Sequence, residues 1–284
     1  MLTESMLKQK LRLLAGKDFQ LTAADDLDAL LEAMLVHIGS LDPELRDELI
    51  YSAFAAWIIE QNALNPQQMR RLLNQVLDED HLFHGIGEQG TDSVFTRAFS
   101  VLLLPLLLIA HRRQPYLTPA EVNRVQASML RFFHQEHDRR GFVQGKGWAH
   151  AVAHAADALD DLAQCAEVKA DGLREMLAAV QTAICIQDEV YTHGEEERLT
   201  TTMLAIVGRQ LLPEDELMAW VEGLAEAALT VTAMPHKLLI RSNVKNFLQS
   251  LYFRLHWAQT APGLQAAILR TLRRINPYAG RENE

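Results

Sequence analysis

The sequence has little of what several protein classes depend on. Among 284 residues there are only two cysteines, Cys165 and Cys185, in no CxxC spacing, so neither a disulfide framework nor a zinc ribbon is encoded and reduced thiols in a cytoplasm are expected. Aromatics make up 7%, and glycine and proline number 14 and 9, which disfavours all-β architectures built on aromatic and β-branched strands. Basic charge is short as well: 27 Lys and Arg face 37 Asp and Glu, a net charge of −10 that argues against general attraction to nucleic acid or anionic lipid. The longest apolar run, Ala98 to Ala110, is too short to span a bilayer and contains Pro105, so it reads as a buried, kinked helix and no membrane is expected. The N-terminal residues MLTESMLKQKLRLLAG lack the continuous apolar core of a secretion signal.

What is present is helix. Leucine and alanine dominate a sequence that is 49% hydrophobic, enough to bury a sizeable core. Start signals recur: Asn65-Pro66, Thr118-Pro119-Ala120-Glu121, Asp42-Pro43 and Pro213-Glu214-Asp215 each join a cap or acidic first turn to a proline. Breaks at Gly39, Gly85 to Gly90, Gly141 to Gly147, Gly194 and Pro262-Gly263 divide the chain into about twelve helices, with spans that include 23 to 38, 43 to 62, 66 to 79 and 147 to 166. No segment shows strand alternation, and short loops make successive helices antiparallel. The expected fold is therefore all-α. Residues 1–284 read as a single solenoid-like domain, an α-α superhelix of HEAT-like hairpins, with a closed toroid of six hairpins as the alternative.

Charge is unevenly distributed. Residues 236 to 281 hold eight bases, Lys237, Arg241, Lys245, Arg254, Arg270, Arg273, Arg274 and Arg281, and no acid, whereas 21 to 60 hold nine acids and only Arg46. Solvated faces or a self-complementary packing surface account for this. The basic segment is the only hint of nucleic acid, and it lacks interleaved aromatics for base stacking.

The most informative stretch is GWAHAVAHAADALDDLAQCAE, Gly147 to Glu167. At 100° per residue His150, His154, Asp157 and Asp161 fall within about 60° of arc, opposite Trp148, Val152, Ala155, Leu159 and Leu162. An ordinary solvated face would carry Glu, Lys or Arg; these four residues instead give up about 2 kcal/mol of helix propensity. Candidate partners precede them in His134, Glu136, His137, Asp138, Arg139 and Arg140 and the glycine-rich connection GFVQGKG. A second polar cluster, His193-Gly194-Glu195-Glu196-Glu197-Arg198, opens a later helix, where its acids also suit simple capping.

The pair of segments DRRGFVQGKGWAHAVAHAADALDDLA and VYTHGEEERL resembles the signature of an uncharacterised bacterial family, one of the numbered domains of unknown function. The resemblance covers most of the chain and implies an all-helical, HEAT-like α-α superhelix. It carries over Asp138, Arg140, Gly141, Gly147, Trp148, His150, His154, Asp157, Glu197 and Arg198, and it brings no activity, substrate or cofactor.

Three functions fit these residues. In a small-molecule or anion pocket, Asp138, Arg140, Trp148, His150, His154, Asp157, Glu197 and Arg198 bind the ligand. In a structural network they lock helices in register within a protein-binding scaffold. In a metal-dependent hydrolase His150, His154 and Asp157 hold the ion, although Ala151 stands where an HExxH motif has its general base. The four tryptophans, Trp57, Trp148, Trp220 and Trp257, read as core.

Overall fold

A computed structural model describes residues 2–279, so Arg281 lies outside the described residues. Among the described residues the chain is all-α, with twelve α-helices and one two-residue β-ladder. Contacts divide it into two compact units, Met1–Ala158 and Leu159–Glu284.

In the first unit α1 (Glu4–Ala15) packs on α2 (Leu27–Val36) and on a long helical run. That run is wound as a π-helix at Glu44–Ile50, as α3 at Tyr51–Ala55, and again as a π-helix at Ala56–Glu60. Asp42 opens it by accepting the Glu44 amide at 3.1 Å. Acids of the 21 to 60 segment are here matched by bases of α1. Arg12 grips Glu44 through Nε and Nη2, both at 2.6 Å, with Lys8 beside it, and these cations hold the Glu44 carboxyl down at about 2.

Next come α4 (Pro66–Val76), α5 (Ser93–Arg113) and α6 (Pro119–Gln135). Asn65 and Thr118 form the reciprocal capping boxes, with Gln68 and Glu121 respectively. α5 is the centre of this unit and packs on α3, on the 56–60 turn and on α4. Among the described residues it is the one helix long and apolar enough to cross a membrane, but 72% of its apolar window is buried inside the protein, as in a core helix.

Within that core sits a charge. Arg97 on α5 is fully buried and meets Glu136, also buried, through two parallel bonds, Nε to Oε2 at 2.6 Å and Nη2 to Oε1 at 3.0 Å. Its Nη1 donates to the carbonyls of His84 and Gly85 and to Ser93. One guanidinium thus ties the 84–85 turn, α5 and the end of α6 together, and its donors are satisfied as burial requires.

α7 (Ala151–Ala163) runs across the boundary between the units. The second unit continues with α8 (Ala170–Ile184), α9 (Glu195–Gly208), α10 (Glu214–Thr230), α11 (His236–Trp257) and α12 (Pro262–Ile275). These helices pack on one another: α8 on α9 and α11, α9 on α11, α10 on α11 and α12, and α11 on α12. Part of the basic segment is consumed in this packing. Arg270 bonds Glu222 at 3.1 Å and Arg274 reaches Glu226, both pairs joining α12 to α10.

Several expected boundaries shift. The 23 to 38 helix starts only at Leu27, because Asp26 accepts the Ala29 amide as its cap. The 66 to 79 helix ends at Val76, and the 43 to 62 helix is interrupted by π-winding. The 147 to 166 helix is shortened to Ala151–Ala163, since Gly147 and Trp148 are drawn into the ladder. Of the tryptophans, Trp57 is fully buried and donates to the Phe19 carbonyl at 2.8 Å, and Trp220 is half-buried; Trp148 and Trp257 are 39% and 73% exposed rather than core.

Removing one partner of a buried ion pair strands the other charge. Glu136→Ala is therefore expected to lower the unfolding free energy by about 3–5 kcal/mol in urea titrations. A loss below about 1 kcal/mol would mean that the pair behaves as a surface salt bridge.

Candidate functional site

The glycine-rich connection folds as a small hairpin. β1 (Phe142–Val143) pairs antiparallel with β2 (Gly147–Trp148), Phe142 opposite Trp148 and Val143 opposite Gly147. The turn is closed by the Lys146 amide on the Val143 carbonyl at 3.0 Å, and Gly145 takes φ +78°, the value a type II turn needs at its third residue. Pairing continues below the ladder: the Ala149 amide donates to the Gly141 carbonyl at 2.8 Å and that of His150 to the Arg140 carbonyl at 2.9 Å.

Three anchors hold the hairpin. The first continues the buried ion pair: Glu136 Oε1 accepts the Asp138 amide at 2.8 Å, and buried Asp138 accepts the Gly90 amide at 2.9 Å and Arg140 Nε at 2.9 Å. Arg140 also donates to the Thr91 carbonyl. The second anchor is Lys146 on both oxygens of Asp92, at 2.6 and 2.8 Å.

The third comes from a residue a hundred positions upstream. Arg46, fully buried, donates Nη2 to the Lys146 carbonyl at 2.7 Å and Nη1 to the Ser40 carbonyl at 2.6 Å. Its guanidinium carbon lies 4.5 Å from the Phe95 ring centroid and 4.7 Å from that of Phe99, so two π-faces support a charge removed from water. Asp47, 2.8 Å from Arg46 Nε, accepts the Trp148 amide. Burial pushes the Asp47 carboxyl up and pulls the Arg46 guanidinium down, each against the pull of the other's charge. Gly147, at φ +79°, is where this anchor closes on the hairpin: a Cβ there would stand 2.8 Å from Pro43 Cβ and 3.0 Å from Arg46 Nη2.

The hairpin delivers the chain into α7 through His150, which precedes the helix at φ +55°. A left-handed conformation costs a β-carbon-bearing residue about 1–2 kcal/mol, held here by the hairpin bonds on one side and the His154 amide on the His150 carbonyl at 3.0 Å on the other. The His150 ring stacks on Trp148 with centroids 4.7 Å apart and planes at 23°, and Trp148 meets half-exposed Phe142 edge-on at 5.2 Å. One turn on, His154 is buried, packs edge-on against Phe99 at 5.3 Å and lies 5.6 Å from the His150 ring. His154 Nδ1 is 3.1 Å from the Ala98 carbonyl oxygen, and a carbonyl only accepts, so Nδ1 carries a proton and donates it there.

Of the residues singled out in the sequence, Asp138, Arg140, Trp148, His150 and His154 are brought together on this hairpin and the start of α7. Asp157 is half-buried on α7, in the same unit. Glu197 and Arg198 belong to the second unit, exposed on α9, where the Glu197 carboxylate lies 3.8 Å from Arg254 Nη1. Asp161, buried, also falls in the second unit. Among the described residues no three of His, Cys, Asp and Glu stand close enough to hold a metal ion. The sequence reading missed Arg46, Asp47 and Arg97. Arg46 left one signal, as the only base in an acidic segment of 40 residues.

These features define a class: an all-helical protein whose buried arginines brace a glycine-rich hairpin presenting tryptophan and histidine. Over residues 82–253, more than half of the chain, it matches the family described as Protein of unknown function (DUF2785), and it belongs to that family. No curated protein and no solved structure matches it.

Two substitution pairs test this geometry. Gly145 and Gly147 share a left-handed backbone, but only Gly147 is crowded, as nothing lies within 4 Å of a Cβ at Gly145. Gly145→Ala is expected to cost about 1 kcal/mol and Gly147→Ala at least about 2 kcal/mol more in chemical denaturation; equal losses would contradict the Arg46 anchor. At His150, both Gly and Ala remove the ring, and only Gly relieves the backbone. His150→Gly should therefore be the more stable variant by about 1 kcal/mol, the reverse of the order within a helix.

Proposed function

We propose that this protein binds a small molecule with a flat aromatic ring, using the 138–150 hairpin and His154 as its recognition element. One observation carries the reading: the hairpin's charged side chains are spent on positioning, while its aromatic ones are presented. Asp138 and Arg140 bond each other and the backbone of Gly90 and Thr91, so they act as braces rather than ligand contacts. Trp148 and Phe142 remain 39% and 51% exposed on a loop pinned by three anchors. Rigid exposed aromatics lose little conformational freedom when a planar ligand stacks on them.

The same observation weighs against catalysis at this hairpin. A metal-dependent hydrolase using His150, His154 and Asp157 has no geometric feature in its favour, whereas a structural network is favoured for Asp138 and Arg140 by their inward bonds. Cytoplasmic residence is supported by the cysteines: Cys165 is buried, and burial pushes the Cys185 thiol up to about 12, far from a reactive thiolate. In the second unit the packing of α9 on α11 and α10 on α12 supports stacked helix pairs of the HEAT-like kind. The Arg270–Glu222 and Arg274–Glu226 pairs favour a packing role for the basic segment over a nucleic-acid groove.

A thermal-shift screen against planar heteroaromatic metabolites tests the proposal. A stabilising compound is expected whose affinity falls at least about tenfold in Trp148→Ala, with the variant still folded by circular dichroism. Ligands that bind Trp148→Ala and His150→Ala as tightly as the parent, or a screen without any stabilising compound, would refute it.

A further inference from the structure

A separate cavity lies wholly within the second unit, between α11 and the end of α12. Its volume is about 420 Å³, within the range of small-molecule sites. Leu238, Leu272 and Ile275 give it an apolar lining. Tyr278 joins them through a turn in which the Asn276 side chain accepts the Tyr278 amide at 3.0 Å and the Asn276 carbonyl accepts that of Ala279 at 3.2 Å. Leu238 and Tyr278 are 52% and 68% exposed, so apolar surface here is open to a ligand.

Two cations share this wall. Arg241 and Lys245, four residues apart on α11, both line the cavity, and no Asp or Glu does. Like charges at that spacing repel along a helix. Among the described residues neither side chain makes a hydrogen bond or an ion pair, whereas other bases of α11 and α12 are answered, Arg254 by Glu197, Arg270 by Glu222 and Arg274 by Glu226. Both cations are within reach of a ligand. Lys245 is exposed; Arg241 is half-buried, and of its three guanidinium nitrogens only Nε is sealed within the protein. Two unanswered cations beside an apolar floor suit a carboxylate on a hydrocarbon body, since the anion gains charge-assisted bonds while its body leaves water.

From this geometry we infer that the cavity between α11 and α12 is a binding site for an organic carboxylate with an apolar chain or ring. The carboxylate meets Arg241 and Lys245, and the hydrocarbon portion lies against Leu238, Leu272 and Tyr278. This inference does not rest on the hairpin site, and its test uses different residues and different probes.

Isothermal titration of the full chain at low ionic strength with octanoate and 4-phenylbutanoate, with the neutral octanamide and 4-phenylbutanamide, and with acetate decides the matter. At least one of the two larger carboxylates is expected to bind, with its amide and acetate each at least about tenfold weaker. Arg241→Gln and Lys245→Gln should each weaken it at least about fivefold, and Leu238→Ala about threefold or more. Because Lys245→Gln ends a like-charge repulsion on α11 and breaks no bond, its melting temperature should equal or exceed the parent's, so lost binding is not lost folding. Equal binding of carboxylate and amide, acetate bound as tightly as the larger acids, undiminished affinity in Lys245→Gln, or no carboxylate binding at millimolar concentration would each overturn the assignment.

Discussion

Everything distinctive in the first unit depends on placing one guanidinium in an apolar core. Arg97 sits on a long apolar helix that is mostly buried, where an isolated charge would be prohibitively costly, and the protein answers with the two-pronged Glu136 contact and a set of carbonyls. That answer has consequences along the chain. Glu136 must lie at the end of α6, its Oε1 then takes the Asp138 amide, and Asp138 in turn takes Gly90 and Arg140. A continuous series of charge-assisted bonds runs from the core helix to the start of the hairpin. Its members are non-additive by nature, since each orients the next.

Arg46 repeats the device from the other side. A buried arginine again supplies donors to backbone carbonyls, this time those of the hairpin itself, and two phenylalanine faces of α5 take the place of a well-aligned carboxylate. Between the two arginines the hairpin has little freedom left, which is why His150 is held in a left-handed conformation that its own chemistry disfavours. Strain of this sort persists where the surroundings over-determine it, and such places are commonly functional. The rigid presentation of Trp148 and the buried position of His154 follow from the same bracing.

Much of this was legible in the sequence. The capping boxes at Asn65 and Thr118 start helices where their residues predict, because cap chemistry is local and spans three or four positions. The glycines of GFVQGKG marked a tight connection, and the density of His and Asp after Trp148 marked a helix under unusual demands. The helical wheel nevertheless misled in detail. It carried the helix back to Gly147, whereas the ladder takes Gly147 and Trp148 and turns the tryptophan outward. Two-residue pairing leaves no periodic trace, so local pattern alone does not reveal it. Arg97 and Arg46 were invisible as anchors for another reason: a charged residue in an apolar helix looks the same whether it reaches solvent or a partner a hundred residues away.

The sequence by itself determined that this chain is helical, where most helices begin, and which segment departs from ordinary surface chemistry, because those properties are set by neighbours within a turn or two. Only the tertiary structure decided what the polar residues are for. It turned Asp138 and Arg140 inward as braces and exposed Trp148 and Trp257. The role of a polar side chain depends on which distant atoms remove it from water and which answer its hydrogen bonds, and that pairing exists only once the chain is packed.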